Sequence, residues 1–127
     1  MWKLVALLVL AGAVLFVCAT LYRRNCDRRE AAFQSRVEQV RHDAKERLKI
    51  GTKKDDIVRF FSENGFRKPY FSESRATGRI LTTRGCRSLG CGIGPEGGEI
   101  KVTVTVDQQG TVQGSPVVDE RFMGDCI

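Results

Sequence analysis

From Leu4 to Tyr22 the chain reads LVALLVLAGAVLFVCATLY, without a single charged side chain. Wound into a helix at 1.5 Å per residue, such a run is roughly 28 Å long, close to the hydrocarbon thickness of a bilayer. Trp2 and Lys3 precede it, and Tyr22, Arg23 and Arg24 close it. Amphipathic rings and long-stemmed cations at both ends suit the two membrane–water interfaces. Residues 1–24 are therefore expected to form a membrane anchor and residues 25–127 one small domain. Two other readings of the stretch stay open. A secretory signal would be cut at Val17-Cys18-Ala19, and a lipoprotein signal would lipidate Cys18. The apolar run continues past Ala19 and the arginines follow at once, which favours an uncleaved anchor.

The hydrophobic pattern then changes period. Asn25-Cys26-Asp27 interrupts the apolar helix, and Asp27 with Glu30 has the spacing of a capping box for a new one. Phe33, Val37, Val40, Ala44 and Leu48 recur every three or four residues and fall on one face of a first helix within residues 25–50. Arg36, Glu38, Arg41, Asp43 and Arg47 occupy the other face, with Asp43 and Arg47 spaced for an ion pair one turn apart. The stripe covers only about two heptads, so it is expected to pack on the protein's own sheet, a weak homodimer being the alternative. Ile50-Gly51 breaks the helix. Within residues 51–66, Thr52 and Asp55 cap a second one bearing Ile57, Val58, Phe60 and Phe61, which Asn64-Gly65 stops with Phe66 packing back.

Residues 67–127 switch to β patterning. Pro69-Tyr70-Phe71 starts a short strand, and Gly78 to Thr83 forms a longer one. A Gly- and Cys-rich loop covers 85–98. Ile100, Val102, Val104 and Val106 alternate with Lys101, Thr103 and Thr105, the mark of a strand with one wet face. Asp107 to Gly110 is turn chemistry, and Thr111 to Val118 returns as the hairpin partner, with Pro116 marking it as an edge or as ending early. The fold class predicted is α+β: an N-terminal transmembrane helix, then two helices on a three- or four-stranded antiparallel sheet. Ile57, Phe61, Val102, Val104 and Val106 are its expected core.

Charge and cysteine content narrow the partners. The 127 residues carry a formal net charge of +6, and the basic excess lies before residue 99. Beside a membrane, basic residues attract anionic headgroups, so the bilayer is the first partner expected. No nucleic-acid motif or aromatic-laced basic run is present. Of the five cysteines, Cys18 lies in the apolar run. Cys86 and Cys91 share one loop, which makes theirs the cheapest bridge to close, with Cys26 and Cys126 as further disulfide candidates. The Cys-x4-Cys spacing is too loose for a zinc site, and no metal or other cofactor is expected. The lone His42 has no evident partner, Asp55-Asp56 suits a helix start, and Asp119-Glu120 closes a strand, so no catalytic residues emerge. Gly92 to Gly97 matches GxGxxG only formally, since a strand follows it rather than a helix.

The segment Ile50-Gly51-Thr52-Lys53-Lys54-Asp55-Asp56-Ile57-Val58 and the hairpin Val104 to Val112 resemble the corresponding segments of the small SmpA/OmlA lipoproteins of bacterial outer-membrane barrel assembly. That family's fold, shared with β-lactamase-inhibitory proteins, packs two helices on a three-stranded antiparallel sheet. The resemblance implies the fold. It does not carry the barrel-assembly role, because the lipobox is absent and Glu63-Asn64-Gly65-Phe66 replaces the family's Leu-Gly-x-Pro. The expectation is thus a single-pass membrane protein of the bacterial envelope, its domain extracytoplasmic (periplasmic). The domain is expected to be non-catalytic and to bind or scaffold an unidentified protein partner. The alternative is a thiol–disulfide redox factor using Cys86 and Cys91.

Overall fold

A computed structural model describes residues 1–86 and 97–123 of the chain. One helix, α1 (Trp2–Arg47), carries both the apolar run and the amphipathic stripe. The break expected at Asn25-Cys26-Asp27 does not occur. None of these residues is Gly or Pro, and Asn or Asp inside a helix costs only a fraction of a kcal/mol relative to Ala. Glu30, instead of turning back to close a cap, reaches across to Arg84. The proposed boundary at residue 24 thus falls inside a continuous helix.

The apolar half of α1 is long and apolar enough to cross a membrane, and none of its most apolar stretch is buried inside the protein. In the other half Phe33, Val37, Val40 and Ala44 are buried, as their spacing predicts, and Leu48 just beyond the helix joins them. The stripe packs on the chain's own sheet. The expected Asp43–Arg47 pair is replaced: Arg47 reaches Glu63 of the next helix at 2.6 Å.

α2 (Lys54–Glu63) follows. Thr52 does not cap it. Its hydroxyl donates to the carbonyls of Arg47 and Lys49, which closes the exposed end of α1, and Lys53 stands at the N-cap of α2 without a side-chain bond. The C-terminal stop is as expected. Gly65 takes the left-handed conformation at φ 72°, Phe66 N–H donates to Phe61 O and Gly65 N–H to Ser62 O, the Schellman arrangement. Phe66 folds back onto both rings of the helix, 5.3 Å from Phe61 and 6.4 Å from Phe60 between centroids.

The sheet has four antiparallel strands in sequence order: β1 (Tyr70–Phe71), β2 (Arg75–Thr83), β3 (Gly97–Thr105) and β4 (Val117–Met123). Ala76, Ile80, Ile100, Val102 and Val104 face the helices, and with Ile57, Phe60, Phe61, Val106 and Val112 they form one core with the stripe of α1. All five expected core residues lie in it. Two glycines on this face allow close packing: a Cβ on Gly78 would overlap the Phe61 ring, and one on Gly98 the Phe33 ring. Gly97 and Gly98, expected in the loop, therefore belong to β3.

The hairpin after β3 is not regular. Val106 bridges Val112 around the Asp107–Gly110 turn, but β4 begins only after Pro116, where Val117 meets Thr103. Pro116 delays the returning strand rather than ending it, and Asp119-Glu120 lie within β4 instead of closing a strand. Gly51 N–H donates to Val112 O and Val112 N–H to Thr52 O, clasping the α1–α2 link to this hairpin. Glu30 and Phe33 meet the Arg84–Gly85 and Gly98 end of the sheet, whereas residues 51–52 meet Val112. β3 thus runs alongside α1 in the same direction. The ends Thr83, Gly97 and Met123 lie toward the apolar half of α1, and the Asp107–Gly110 turn lies away from it.

Candidate functional site

Where α1 leaves its apolar half, the helix is fastened to the sheet. Cys26 and Glu30 are one turn apart on one helical face. Arg84 and Cys86, two residues apart just beyond β2, share one side of an extended segment. The two pairs meet. Cys26 is disulfide-bonded to Cys86 with Cα atoms 5.2 Å apart. Arg84 holds the Glu30 carboxylate in a fork, with Nε 3.1 and 3.0 Å from its two oxygens and Nη2 2.8 Å from Oε1. Gly85 N–H donates to Oε2 and Gln34 Nε2 to Oε1. Gln34 also reaches Glu120 of β4, whose carboxylate lies 3.7 Å from Arg84. The guanidinium is sandwiched between Phe33, at 4.5 Å, and Phe122, at 4.0 Å.

With so many donors, and Arg84 above all, the Glu30 carboxyl is lowered to about 2 even though partial burial opposes ionisation. At neutral pH it has no proton to give and its acceptor sites are occupied. The arrangement is a clamp between elements distant in sequence, not acid–base machinery.

The expected Cys86–Cys91 bridge is corrected by this pairing. A short loop is the cheapest to close entropically, but the folded chain sets Cys86 against Cys26 of the unbroken helix. Cys91 and Cys126 lie outside the described residues, as does the formal GxGxxG match except for Gly97, which begins β3. Cys18 is a free thiol on the exposed surface of the apolar half. Trp2 and Lys3 occupy the first turn of α1, and Tyr22, Arg23 and Arg24 stand on it where the apolar run ends, all exposed. His42 is exposed as well.

Among the described residues no helix covers the other side of the sheet. Strand alternation and register place Tyr70, Thr77, Thr103 and Val117 in one row across it, then Arg79, Lys101 and Asp119, then Leu81, Glu99 and Arg121. Tyr70 is 72% exposed and Val117 54%, and Leu81 and Met123 are also exposed. Outside the apolar half of α1, the only other large apolar side chains so exposed among the described residues are Ile50 and Val58. Glu99 is the exception on this face at 1% exposure. Arg121 donates to one of its oxygens, and Arg79 Nε lies 3.4 Å from the other, which accepts no hydrogen bond among the described residues. Glu99 thereby fixes two arginines beside Lys101, and among the described residues Arg75 and Lys101 have no ion-paired partner. The face is basic and apolar at once. The pattern of β3 shows which residues face this way, but only the register of β2 and β4 brings the arginines to Glu99.

A cleft of about 620 Å³ lies at the far end, between Lys54, the Ser72–Ser74 turn and the Asp107–Gly110 turn. Its polar groups serve the fold. Asp107 accepts from Gln109 N, Thr111 N and Gln113 Nε2, and Lys54 Nζ lies 4.8 Å over the Phe71 ring. Among the described residues no three His, Cys, Asp or Glu side chains converge as metal ligands. No family model matches the chain, and no curated protein and no solved structure matches it.

Proposed function

We propose that this is a single-pass membrane protein whose α1 crosses the bilayer and continues without a hinge into a small non-catalytic domain that binds a protein partner. The observation that carries the reading is the contrast between the sheet's two faces. One is sealed by α1 and α2, and the other exposes Tyr70, Leu81, Val117 and Met123 among Arg75, Arg79, Lys101 and Arg121. Exposed apolar side chains gathered on one face, with cations around them, are the composition of a recognition surface. A photo-crosslinking residue at Tyr70, Leu81 or Val117 should form a discrete adduct in native membranes, while one at His42 should not. Adducts from His42 alone, or from none of the four, would contradict the reading.

The Cys26–Cys86 disulfide supports a domain outside the cytoplasm, since such bridges persist in oxidising compartments. The arginines after the apolar run point the other way by the positive-inside rule, but a single span tolerates exceptions to that rule more readily than a cytosolic protein retains a structural disulfide. With Cys86 joined to Cys26, a structural role is favoured over thiol exchange. Intact spheroplasts treated with reductant and then a membrane-impermeant thiol reagent should label Cys26 and Cys86. Labelling only after permeabilisation would put the domain in the cytoplasm.

A further inference from the structure

Arg23, Arg24, Arg28 and Arg29 follow the apolar run within two turns. At 1.5 Å per residue they occupy about 9 Å of helix, comparable with the polar headgroup layer on one side of a bilayer. At 100° per residue, Arg24 and Arg28 fall on the side of α1 opposite Cys26 and Phe33, while the exposed Arg23 and the half-buried Arg29 border the domain-facing side, so the four together encircle the helix. They also differ from the arginines further along the same helix. Arg36 donates to Gln39 and to the Asn64 carbonyl, Arg41 pairs with Glu38, and Arg47 pairs with Glu63. Among the described residues none of the four makes an ion pair or hydrogen bond with a protein side chain. Asp27, the one acid among them, pairs with none of them.

The helix is continuous here, and the Cys26–Cys86 and Glu30–Arg84 attachments lie beside the four arginines on it. The four guanidinium groups are therefore carried at a fixed height relative to the sheet, and among the described residues no anion satisfies them. We infer that Arg23, Arg24, Arg28 and Arg29 form a collar that binds the headgroups of anionic phospholipids in the adjoining leaflet. A guanidinium meets a phosphate bidentately, and a negatively charged leaflet supplies phosphates at this depth. Lipid bound there sets the height and tilt of the whole domain, because the helix runs unbroken from the collar into the attachments that hold the sheet. The inference rests on the reading of α1 as a membrane span.

The test uses the full chain reconstituted in vesicles of nine parts phosphatidylcholine to one part phosphatidylglycerol. The chain is extracted in mild detergent, and the co-purifying lipids are quantified by mass spectrometry. Resistance to alkaline carbonate extraction first establishes the span. If the wild-type chain is extracted, the anchor reading fails, and the collar with it. In a chain that resists, phosphatidylglycerol should be enriched over its bulk proportion by at least about threefold. The enrichment should fall at high salt and disappear in R23Q/R24Q/R28Q/R29Q, while K45Q/K49Q at the far end of α1 keeps it. R24Q/R28Q, which touches only the side away from the domain, guards against misfolding of the quadruple variant and should show a partial loss. A resistant wild-type chain without enrichment would overturn the collar and leave the anchor standing. So would equal enrichment in the wild type and in arginine variants that retain the Cys26–Cys86 bridge.

Discussion

The two halves of α1 share one backbone and meet opposite surroundings. From Leu4 to Tyr22 the helix carries no charged side chain, and none of its most apolar stretch is buried inside the protein. From Cys26 to Arg47 it is polar on one side and buried on the other, where Val37, Val40 and Ala44 have no exposed surface. The first half is long and apolar enough to cross a membrane, and the second packs on the sheet. A change of solvent environment along a chain does not require a change of secondary structure. Because the helix is unbroken, whatever orients the first half orients the domain.

Substituting one aspartate in each half breaks the comparison most sharply. Val37→Asp would bury an unpaired carboxylate in the core and should cost on the order of 3–5 kcal/mol, enough to unfold a domain this small. Leu10→Asp should reduce membrane insertion, by about 2.5–3.5 kcal/mol on an insertion scale, and leave the domain's melting temperature unchanged. Thermal melts and carbonate extraction of the two variants separate the effects.

The attachment between the halves comes next. Removing the bridge in Cys26→Ser/Cys86→Ser should lower stability by about 2–4 kcal/mol, mostly by freeing the unfolded chain across a separation of 60 residues. Denaturant titration measures it, and an unchanged midpoint would mean the bridge constrains nothing.

Glu30 adds a pH signature. Its folded-state pKa is depressed to about 2 from an ordinary 4.5, so its contribution is present in full above about pH 4.5 and is lost as pH falls toward 2. A third of the side chain is exposed, and after screening the effect should be about 1–2 kcal/mol. Wild-type stability should fall across that window, and Glu30→Gln should flatten the slope there while being less stable at pH 7. The smallest effect is a gain. Lys53 has extended geometry at the N-cap of α2 and no capping bond, so Lys53→Asp should stabilise the domain by about 0.5–1 kcal/mol in a thermal melt.

How far these features were legible in the sequence depends on how local their causes are. The apolar run, the stripe from Phe33 to Leu48, the Gly65 stop and the wet and dry faces of β3 rest on neighbours within a few residues, and all could be read. The continuity of α1 could not, because Asp27-x-x-Glu30 looks the same whether Glu30 closes a cap or grips Arg84, 54 residues away. The disulfide misled for the same reason: loop length favours Cys86 with Cys91, whereas geometry favours Cys26. A faint signal did exist. Cys26 with Glu30 at helical spacing and Arg84 with Cys86 at extended spacing form two matched pairs, a cysteine and a charge of opposite sign in each. On the open face, Glu99 stands just before the alternating run of β3, and nothing local announced that Arg79 and Arg121 would converge on it.

Whether one rigid rod joins the membrane to the domain is tested most directly at Cys26, in the turn where the two halves meet. The protein should be purified from native membranes with free thiols blocked and digested without reduction, and the linked peptides then mapped by mass spectrometry. The account predicts a peptide pair joining Cys26 to Cys86. A Cys86–Cys91 link, or a Cys26 blocked as a free thiol, would contradict it.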